Sequence, residues 1–188
     1  QVMMPGDTGT ITVTVQNTGT EAVDINRATL YTDGINLLNG GAYDARVTLG
    51  PGNSKDFTFF VTATGQGGLY QPRFYIDFLG SGFLSYLIPL RIDNTGLQVS
   101  VIDAPDYFST GRKDQITLLI GNPRDVNLTG ITITAAGEGV KTIQSNYFVG
   151  DLGPGRSTQV VFDVIPSSAT TLNFHTSYRN GFNVHGTD

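Results

Sequence analysis

The stretch that decides the fold is Gly6-Asp-Thr-Gly-Thr-Ile-Thr-Val-Thr-Val-Gln-Asn17. Its apolar side chains stand at every second position, at Ile11, Val13 and Val15. A period of two with threonine in between predicts a half-buried β-strand. The stretch from Gly111 to Asn122 has the same pattern, with apolar residues at Ile116, Leu118 and Ile120.

A second motif is repeated in the same order along the chain. The turn Leu49-Gly-Pro-Gly52 recurs as Leu152-Gly-Pro-Gly155. Two ordered repeats predict two homologous domains, residues 1–95 and 96–188, each about the length of an immunoglobulin-like sandwich. No stretch has a sustained helical period. We therefore predict an all-β chain of two tandem immunoglobulin-like antiparallel β-sandwich domains.

The two predicted domains differ at their beginning. The second opens on a clear strand pattern, Leu97-Gln-Val-Ser-Val101, which the first has almost lost. We therefore expect domain 1 to be N-terminally truncated, with Gln1 inside a longer array of repeats.

Composition excludes several classes of protein. The 188 residues carry 11 Lys+Arg against 16 Asp+Glu, and this acidity without a basic run argues against a nucleic-acid partner. The absence of cysteine excludes disulfide scaffolds, thiolate metal sites and thiol nucleophiles. No apolar run approaches the length of a membrane helix, so we expect no membrane insertion by this fragment.

Catalytic signatures are missing from the sequence. It contains neither Gly-x-Ser-x-Gly nor a phosphate-binding Gly-x-x-x-x-Gly-Lys-Ser/Thr loop. Its two glutamates, Glu21 and Glu138, lie in different predicted domains, and most aspartates lie in turns. We therefore predict no enzymatic activity and no cofactor.

Two histidines, His175 and His185, flank the turn at Asn180-Gly181. A three-residue turn, with Tyr178 opposite Phe182, would place them side by side on the outer face, close enough to share a metal. A two-residue turn would place them on opposite faces. Since zinc needs three or four ligands, we favour solvated histidines.

Oxygen-bearing side chains near the predicted domain junction suggest calcium. They are Asp93, Asn94, Asp103 and Asp106. Calcium takes six to eight oxygen ligands and fixes junctions in many extracellular sandwiches. The sequence has no clustered Asp-x-Asp pattern here, however, and aspartate is common in turns, so we favour turn residues and predict no metal site.

The last hairpin of domain 1 is apolar on both predicted faces. Pairing Phe78 with Leu84 turns one set inward: Phe74, Ile76, Phe78, Leu84, Tyr86 and Ile88. The outer face then carries Tyr75, Leu79, Phe83 and Leu87. Either residues 35–43 or the second domain cover this face, or it is an interaction patch for a neighbouring subunit or ligand.

The first domain resembles the CARDB domain, the cell adhesion related domain found in bacteria. The resemblance rests on Gly6–Gly19, on the Ala28-Thr-Leu-Tyr-Thr-Asp-Gly34 hairpin and on Leu49–Ser54. The first domain is equally similar to repeats of archaeal S-layer-like proteins. Domain 2 keeps the first strand and the corner but replaces the hairpin motif with Ala135–Gly139.

This resemblance implies a non-catalytic structural or adhesion module at the cell surface, within a larger S-layer-like or adhesin-like repeat protein. Its expected partners are copies of itself or neighbouring repeats. The alternative is an accessory module of a secreted enzyme or transport system that binds carbohydrate or peptide. That alternative predicts exposed aromatic side chains, for which the candidates are Tyr75, Phe83, Tyr43 and Tyr147.

Overall fold

The computed structural model describes residues 2–43, 46–80 and 82–187. Contacts divide the chain into two compact units, Gln1–Asn94 and Thr95–Asp188, which we call unit 1 and unit 2. Within the described residues every regular element is a β-strand, and all strand pairs are antiparallel. The predicted all-β antiparallel fold is confirmed. The same residues contain no helix of the length and apolar character that a membrane span requires.

The strands of unit 1 are β1 (Thr8–Gln16), β2 (Val23–Tyr31), β3 (Ile35–Leu37), β4 (Ala42–Tyr43), β5 (Val47–Leu49), β6 (Ser54–Ala63), β7 (Gly68–Tyr70), β8 (Arg73–Phe78), β9 (Gly82–Leu87) and β10 (Leu90–Ile92). One sheet has the order β1-β6-β3, and the other has the order β4-β2-β8-β9 with β5 also on β2. Strands β10 and β7 form a separate pair.

The core of unit 1 follows the alternation of its strands. Phe57, Phe59 and Val61 alternate along β6 and are fully buried, as the pattern predicts. They belong to one apolar cluster with Ile25 and Ile76 from the opposite sheet. The two sheets therefore bury their apolar faces against each other, which is the arrangement of a β-sandwich.

The strands of unit 2 are β11 (Gln98–Asp103), β12 (Asp114–Gly121), β13 (Leu128–Ala136), β14 (Val140–Thr142), β15 (Asn146–Leu152), β16 (Ser157–Pro166), β17 (Asn173–Asn180) and β18 (Asn183–Thr187). They form two four-stranded sheets, β11-β12-β16-β14 and β15-β13-β17-β18. The buried side chains alternate along the central strands: Leu118, Ile120, Ile131, Ile133, Val160 and Phe162.

A buried asparagine closes one corner of unit 1. The Nδ2 of Asn17 donates hydrogen bonds to the backbone oxygens of Glu21 and Leu49, each at 2.8 Å. Its Oδ1 accepts a bond of 3.0 Å from the backbone nitrogen of Gly19. One side chain thus ties the end of β1, the following turn and the end of β5 together.

Unit 2 uses the same device at Asn122. Its Nδ2 donates to the backbone oxygens of Val126, Leu152 and Gly153 at 2.9, 2.9 and 3.1 Å. Its Oδ1 accepts a bond of 3.1 Å from the backbone nitrogen of Arg124. Both units therefore fix the Leu-Gly-Pro-Gly corner with the last residue of the repeated strand motif, a role that the sequence pattern alone did not suggest.

Candidate functional site: an apolar hairpin beside an open groove

The hairpin β8–β9 has a different register from the predicted one. Phe78 pairs with Gly82 rather than with Leu84, and Asp77 pairs with Phe83. The turn is tighter because Gly80 and Gly82 adopt positive φ angles of 77° and 90°, which other residues rarely adopt. Ser81, between these two glycines, lies outside the described residues. A shift of two residues keeps each side chain on its predicted face.

The predicted inward set is only partly buried. Phe74 and Ile76 on β8 are in the core, but Leu84 and Tyr86 on β9 are 61% and 63% exposed. The predicted burial of Leu84 and Tyr86 is wrong. Strand β9 is the last strand of its sheet, and all six of its residues are exposed. Strand β9 is therefore apolar on both faces and covered on neither.

The outer face of the hairpin carries the predicted patch. Leu79, Phe83 and Leu87 are exposed, and the half-buried ring of Tyr75 stacks on Phe83 with 5.1 Å between centroids. Tyr31, at the end of β2, packs edge-on against Tyr75 at 6.3 Å. Sequence reasoning missed Tyr31, because its position depends on how β2 and β8 pair. We call Tyr31, Tyr75, Leu79, Phe83 and Leu87 the apolar face.

The loop that was expected to cover this face lies elsewhere. Ile35–Leu37 forms β3, which pairs with β6 in the other sheet. Tyr43, at the other end of the segment, packs edge-on against Phe57 and Phe59 and donates a hydrogen bond to the Thr58 backbone oxygen. In the described residues, residues 35–43 therefore contribute to the core and not to a cover over the apolar face.

A groove of about 390 Å³ opens beside the hairpin. Its walls come from the end of β1, the turn that follows, and the start of β9, with Val15, Val23, Leu49, Phe78 and Leu84 among them. The lining is mainly apolar, and the turn that holds Asn17 forms one end. Phe83 of the apolar face also lines the groove, so the groove and the apolar face meet at the start of β9.

The remaining aromatic candidates do not form a second exposed platform. Tyr43 is packed in the core of unit 1, as described above. Tyr147 is half-buried and meets the ring of Phe162 edge-on at 6.4 Å. Of the four aromatic residues considered from the sequence, Tyr75 and Phe83 are the pair that reaches the surface together.

The two histidines lie on opposite faces of their sheet. The turn closes between Asn180 and Asn183, which places His185 opposite Tyr178, and their rings stack at 5.8 Å. His175 is an odd number of residues from Tyr178 and points to the other side. The three-residue turn that would have brought the histidines together is wrong.

The calcium candidates are distributed over both units. Asp93 is buried in unit 1, where its Oδ2 lies 3.2 Å from the Nη2 of Arg91. Asp103 and Asp106 are exposed in unit 2. Throughout the described part of the chain, no group of three or more His, Cys, Asp or Glu side chains could hold a metal ion. The expectation of no metal site, with Asp93, Asn94, Asp103 and Asp106 as the calcium candidates, stays a prediction.

Comparison with known proteins supports the resemblance noted in the sequence. Residues 1–79 match the family model CARDB, which confirms that resemblance for most of unit 1. CARDB is an adhesion-related domain family. No curated protein matches the sequence.

Among the solved structures that match the chain, three have TM-scores under 0.5. A red sea bream transglutaminase matches with a TM-score of 0.41 and 15% identity over 95% of this chain and 28% of its own. The secreted serine protease VesC from Vibrio cholerae matches with a TM-score of 0.37 and 14% identity over 95% and 48%. The CupB2 chaperone of Pseudomonas aeruginosa matches with a TM-score of 0.31 and 10% identity over 99% and 96%. The chain spans less than half the length of the first two.

Proposed function

We propose that the chain is a non-catalytic adhesion module at the cell surface, part of a larger S-layer-like or adhesin-like repeat protein. It would work by protein–protein contact, with copies of itself or with neighbouring repeats. The CARDB match over residues 1–79 supports the adhesion-related class. The proposal assigns no catalytic residue and no cofactor.

The observation that carries the proposal is the apolar face. A solvated outer face of an antiparallel sheet normally alternates to polar residues, whereas this one presents Phe83 at 62%, Leu79 at 50% and Leu87 at 44% exposure. Contiguous exposed apolar side chains mark interaction surfaces, and aromatic residues dominate the binding energy of such surfaces. The stacked pair of Tyr75 and Phe83 is the anchor that we expect a partner to cover.

Sedimentation velocity over a wide concentration range tests this function. We expect reversible self-association of the wild-type chain, weakened at least about tenfold by Phe83→Ser with Leu87→Ser. The matched control is Phe182→Ser in unit 2, a side chain 98% exposed at the β17–β18 turn, which should leave association unchanged. Equal association by the double variant, or loss in the control, would contradict the proposal.

A second candidate function is carbohydrate binding by an accessory module. The observation that favours it is the row of rings formed by Tyr31, Tyr75 and Phe83 across β2, β8 and β9. Aromatic rings pack against the apolar faces of sugar rings, and the tyrosine hydroxyl can form a hydrogen bond with the sugar. Titration with soluble oligosaccharides should then shift the Tyr75 ring resonances, and Tyr31→Ala should abolish the shift; unmoved resonances would exclude this candidate.

A further inference from the structure

Strand β9 has one side open to hydrogen bonding. It is the last strand in the order β4-β2-β8-β9, and in the described residues no strand pairs with its far side. Its counterpart in unit 2, β18, is likewise the last strand of its sheet. In that unit the strand before the repeated motif, β11, pairs with β12 in the other sheet and leaves β18 open. A preceding strand of the same kind in unit 1 would therefore not close the open side of β9.

Strand β9 also lacks the features that usually prevent edge pairing. Natural edge strands carry charges, prolines or bulges. The sequence of β9, Gly82-Phe-Leu-Ser-Tyr-Leu87, has no charge and no proline, and its residues pair with β8 without a register shift. All of them are exposed. Strand β9 is thus a regular apolar edge, which is the kind that pairs with another chain.

The hydrogen bonds to β8 show which amides point to the open side. The backbone nitrogen of Ile88 donates to the backbone oxygen of Pro72 at 2.8 Å. Hydrogen-bonded pairs recur at every second residue of an antiparallel ladder, so Leu84 and Tyr86 direct their N–H groups to β8. The N–H groups of the residues between them, Phe83, Ser85 and Leu87, point to the open side.

The sequence of β9 is self-complementary about Ser85. Two copies of the strand, antiparallel about a twofold axis at this residue, place Ser85 opposite itself. Phe83 then lies opposite Leu87, and Leu84 lies opposite Tyr86. Each apolar side chain meets an apolar side chain on the same face, and the two hydroxyls meet each other. An axis at Leu84 or Tyr86 would instead place Ser85 opposite Phe83 or Leu87.

The same axis satisfies the outward main-chain groups. The pair of Phe83 with Leu87 and the pair of Ser85 with itself join residues whose N–H groups point to the open side. Opposite residues of this kind exchange two hydrogen bonds in an antiparallel sheet. The match of side chains and the match of main-chain groups therefore select one register, and the partner that offers it is a second β9.

The counterpart strand β18 does not offer this match. An axis at its central residue, His185, would place Val184 opposite Gly186 and Asn183 opposite Thr187. No apolar pair forms in that arrangement, and two imidazole rings would meet on the axis. The self-complementary edge is therefore a property of unit 1 and not of the repeat in general.

We propose that β9 pairs with β9 of a second copy of the chain, antiparallel about a twofold axis at Ser85, so that the two sheets become one continuous sheet. Isologous contacts of this kind are the commonest in homo-oligomers. The two apolar faces join where Phe83 meets Leu87 of the second copy. The inference rests on the proposed function and deepens it, since it names the partner of the same hairpin and the way in which it binds.

Cysteine crosslinking tests the position of the axis, because the chain has no cysteine of its own. Two residues 85 would lie about 5.5 Å apart at Cα, within the range of a disulfide. Two residues 87 would lie at least about 13 Å apart, because each is four positions from the partner's equivalent residue. We expect Ser85→Cys to form a disulfide-linked dimer under mild oxidation at least about tenfold faster than Leu87→Cys, the control on the same face.

A mixture of Phe83→Cys and Leu87→Cys chains completes this control. Residues 83 and 87 lie opposite each other in the proposed dimer, so the mixture should form the mixed disulfide. The second pair of Phe83 with Leu87 stays intact in that dimer. Formation of the mixed disulfide shows that the cysteine at position 87 can react, and its absence would contradict the register.

Sedimentation velocity of Ser85 variants tests the strand pairing itself. Ser85→Pro removes an outward N–H without removing a hydrogen bond to β8, and proline is tolerated at such positions of edge strands. We expect it to weaken self-association at least about tenfold. Ser85→Thr, the matched control, keeps the N–H and suits a strand, so association should stay within about twofold of the wild type.

The outcomes distinguish this proposal from the proposed function. A monomeric wild-type chain, faster crosslinking of Leu87→Cys than of Ser85→Cys, or equal association of Ser85→Pro and wild type would overturn the strand pairing. If Phe83→Ser with Leu87→Ser weakens association and Ser85→Pro does not, the apolar face stands and the strand pairing fails. If only Ser85→Pro weakens association, the strand pairing stands and the apolar face fails as the contact.

Discussion

Strands β1 and β12 carry the same alternating pattern, yet one is half-buried and the other is fully buried on its inner face. The difference lies in β11, which covers β12 and has no counterpart beside β1 in the described residues. Alternation thus decides which side of a strand faces the core, whereas the neighbouring strand decides how well that side is covered.

The closing hairpins of the two units differ in a related way. Strand β9 of unit 1 presents Phe83, Leu84, Tyr86 and Leu87 to solvent. Strand β18 of unit 2 is more polar and uses His185 to cover the ring of Tyr178. The closing hairpin of unit 1 is therefore the one whose last strand exposes four apolar side chains, on both of its sides.

The largest expected effect comes from truncating equivalent core residues. Leu118→Ala should lower the free energy of unfolding of unit 2 by about 3 kcal/mol, because it leaves a cavity in a fully buried site. Val13→Ala should cost unit 1 only about 1 kcal/mol, because its side chain is already half-exposed. Denaturation followed by hydrogen exchange reports each unit separately; equal losses would mean that β1 is as well covered as β12.

Replacement of the corner asparagines, Asn17 and Asn122, should give the second-largest loss in the free energy of unfolding. Asn122→Ala removes a buried amide whose two N–H groups are shared among three backbone oxygens, and we expect a loss of about 3 kcal/mol in unit 2. Asn17→Ala removes an amide that donates to two backbone oxygens, and we expect a loss of about 2 kcal/mol in unit 1. Asn→Asp at either position is the informative control, since it keeps the shape but loses the donor. A negligible loss in either unit would show that the corner is held by other contacts.

The smallest expected effect on stability comes from the charged pair of Lys113 and Asp163 on the sheet β11-β12-β16-β14 of unit 2. The Lys113 ammonium, with help from the Gln115 amide, lowers the pKa of Asp163 below its ordinary value. Because the folded pKa is depressed, this contribution to stability is complete at neutral pH and declines as pH falls below about 4. The site in unit 1 that corresponds to Gln115 and Asp163 pairs Thr10 with Phe60, so nothing titrates there.

An NMR titration of the Asp163 carboxyl checks this prediction. Lys113→Met should raise its pKa toward the ordinary aspartate value, and the acid sensitivity of unit 2 should become weaker. A pKa that does not move would assign the shift to another group. Gln115→Leu is the control that removes the second donor without removing charge.

Much of the fold could be predicted from local sequence. Alternation located the strands and their inner faces, as at Phe57, Phe59 and Val61, because the side-chain period of a strand is fixed by its geometry. The register between paired strands was harder to predict, since it depends on the geometry of the turn that joins them. Two glycines tightened the β8–β9 turn, and the β17–β18 turn closes between Asn180 and Asn183, which moved His185 to the face of Tyr178.

The candidate site could be predicted only in part. The apolar face followed from the alternation of β8 and β9, but the exposure of Leu84 and Tyr86 did not, because it depends on how far the opposite sheet extends. Tyr31 joined the face through pairing with β8, which no local pattern indicates. The open side of β9 depended on the assembled sheet, whose strands are distant in sequence.

The most direct test of the difference between β1 and β12 is residue-resolved hydrogen exchange of the intact chain, comparing Thr12–Gln16 with Thr117–Gly121. In β12, with strands on both sides, every amide of that segment should be protected. In β1, the amides that point away from β6 should exchange at least about tenfold faster than their counterparts. Equal protection of the two segments at all chain concentrations would mean that the edge of unit 1 is already closed, and would contradict the central claim.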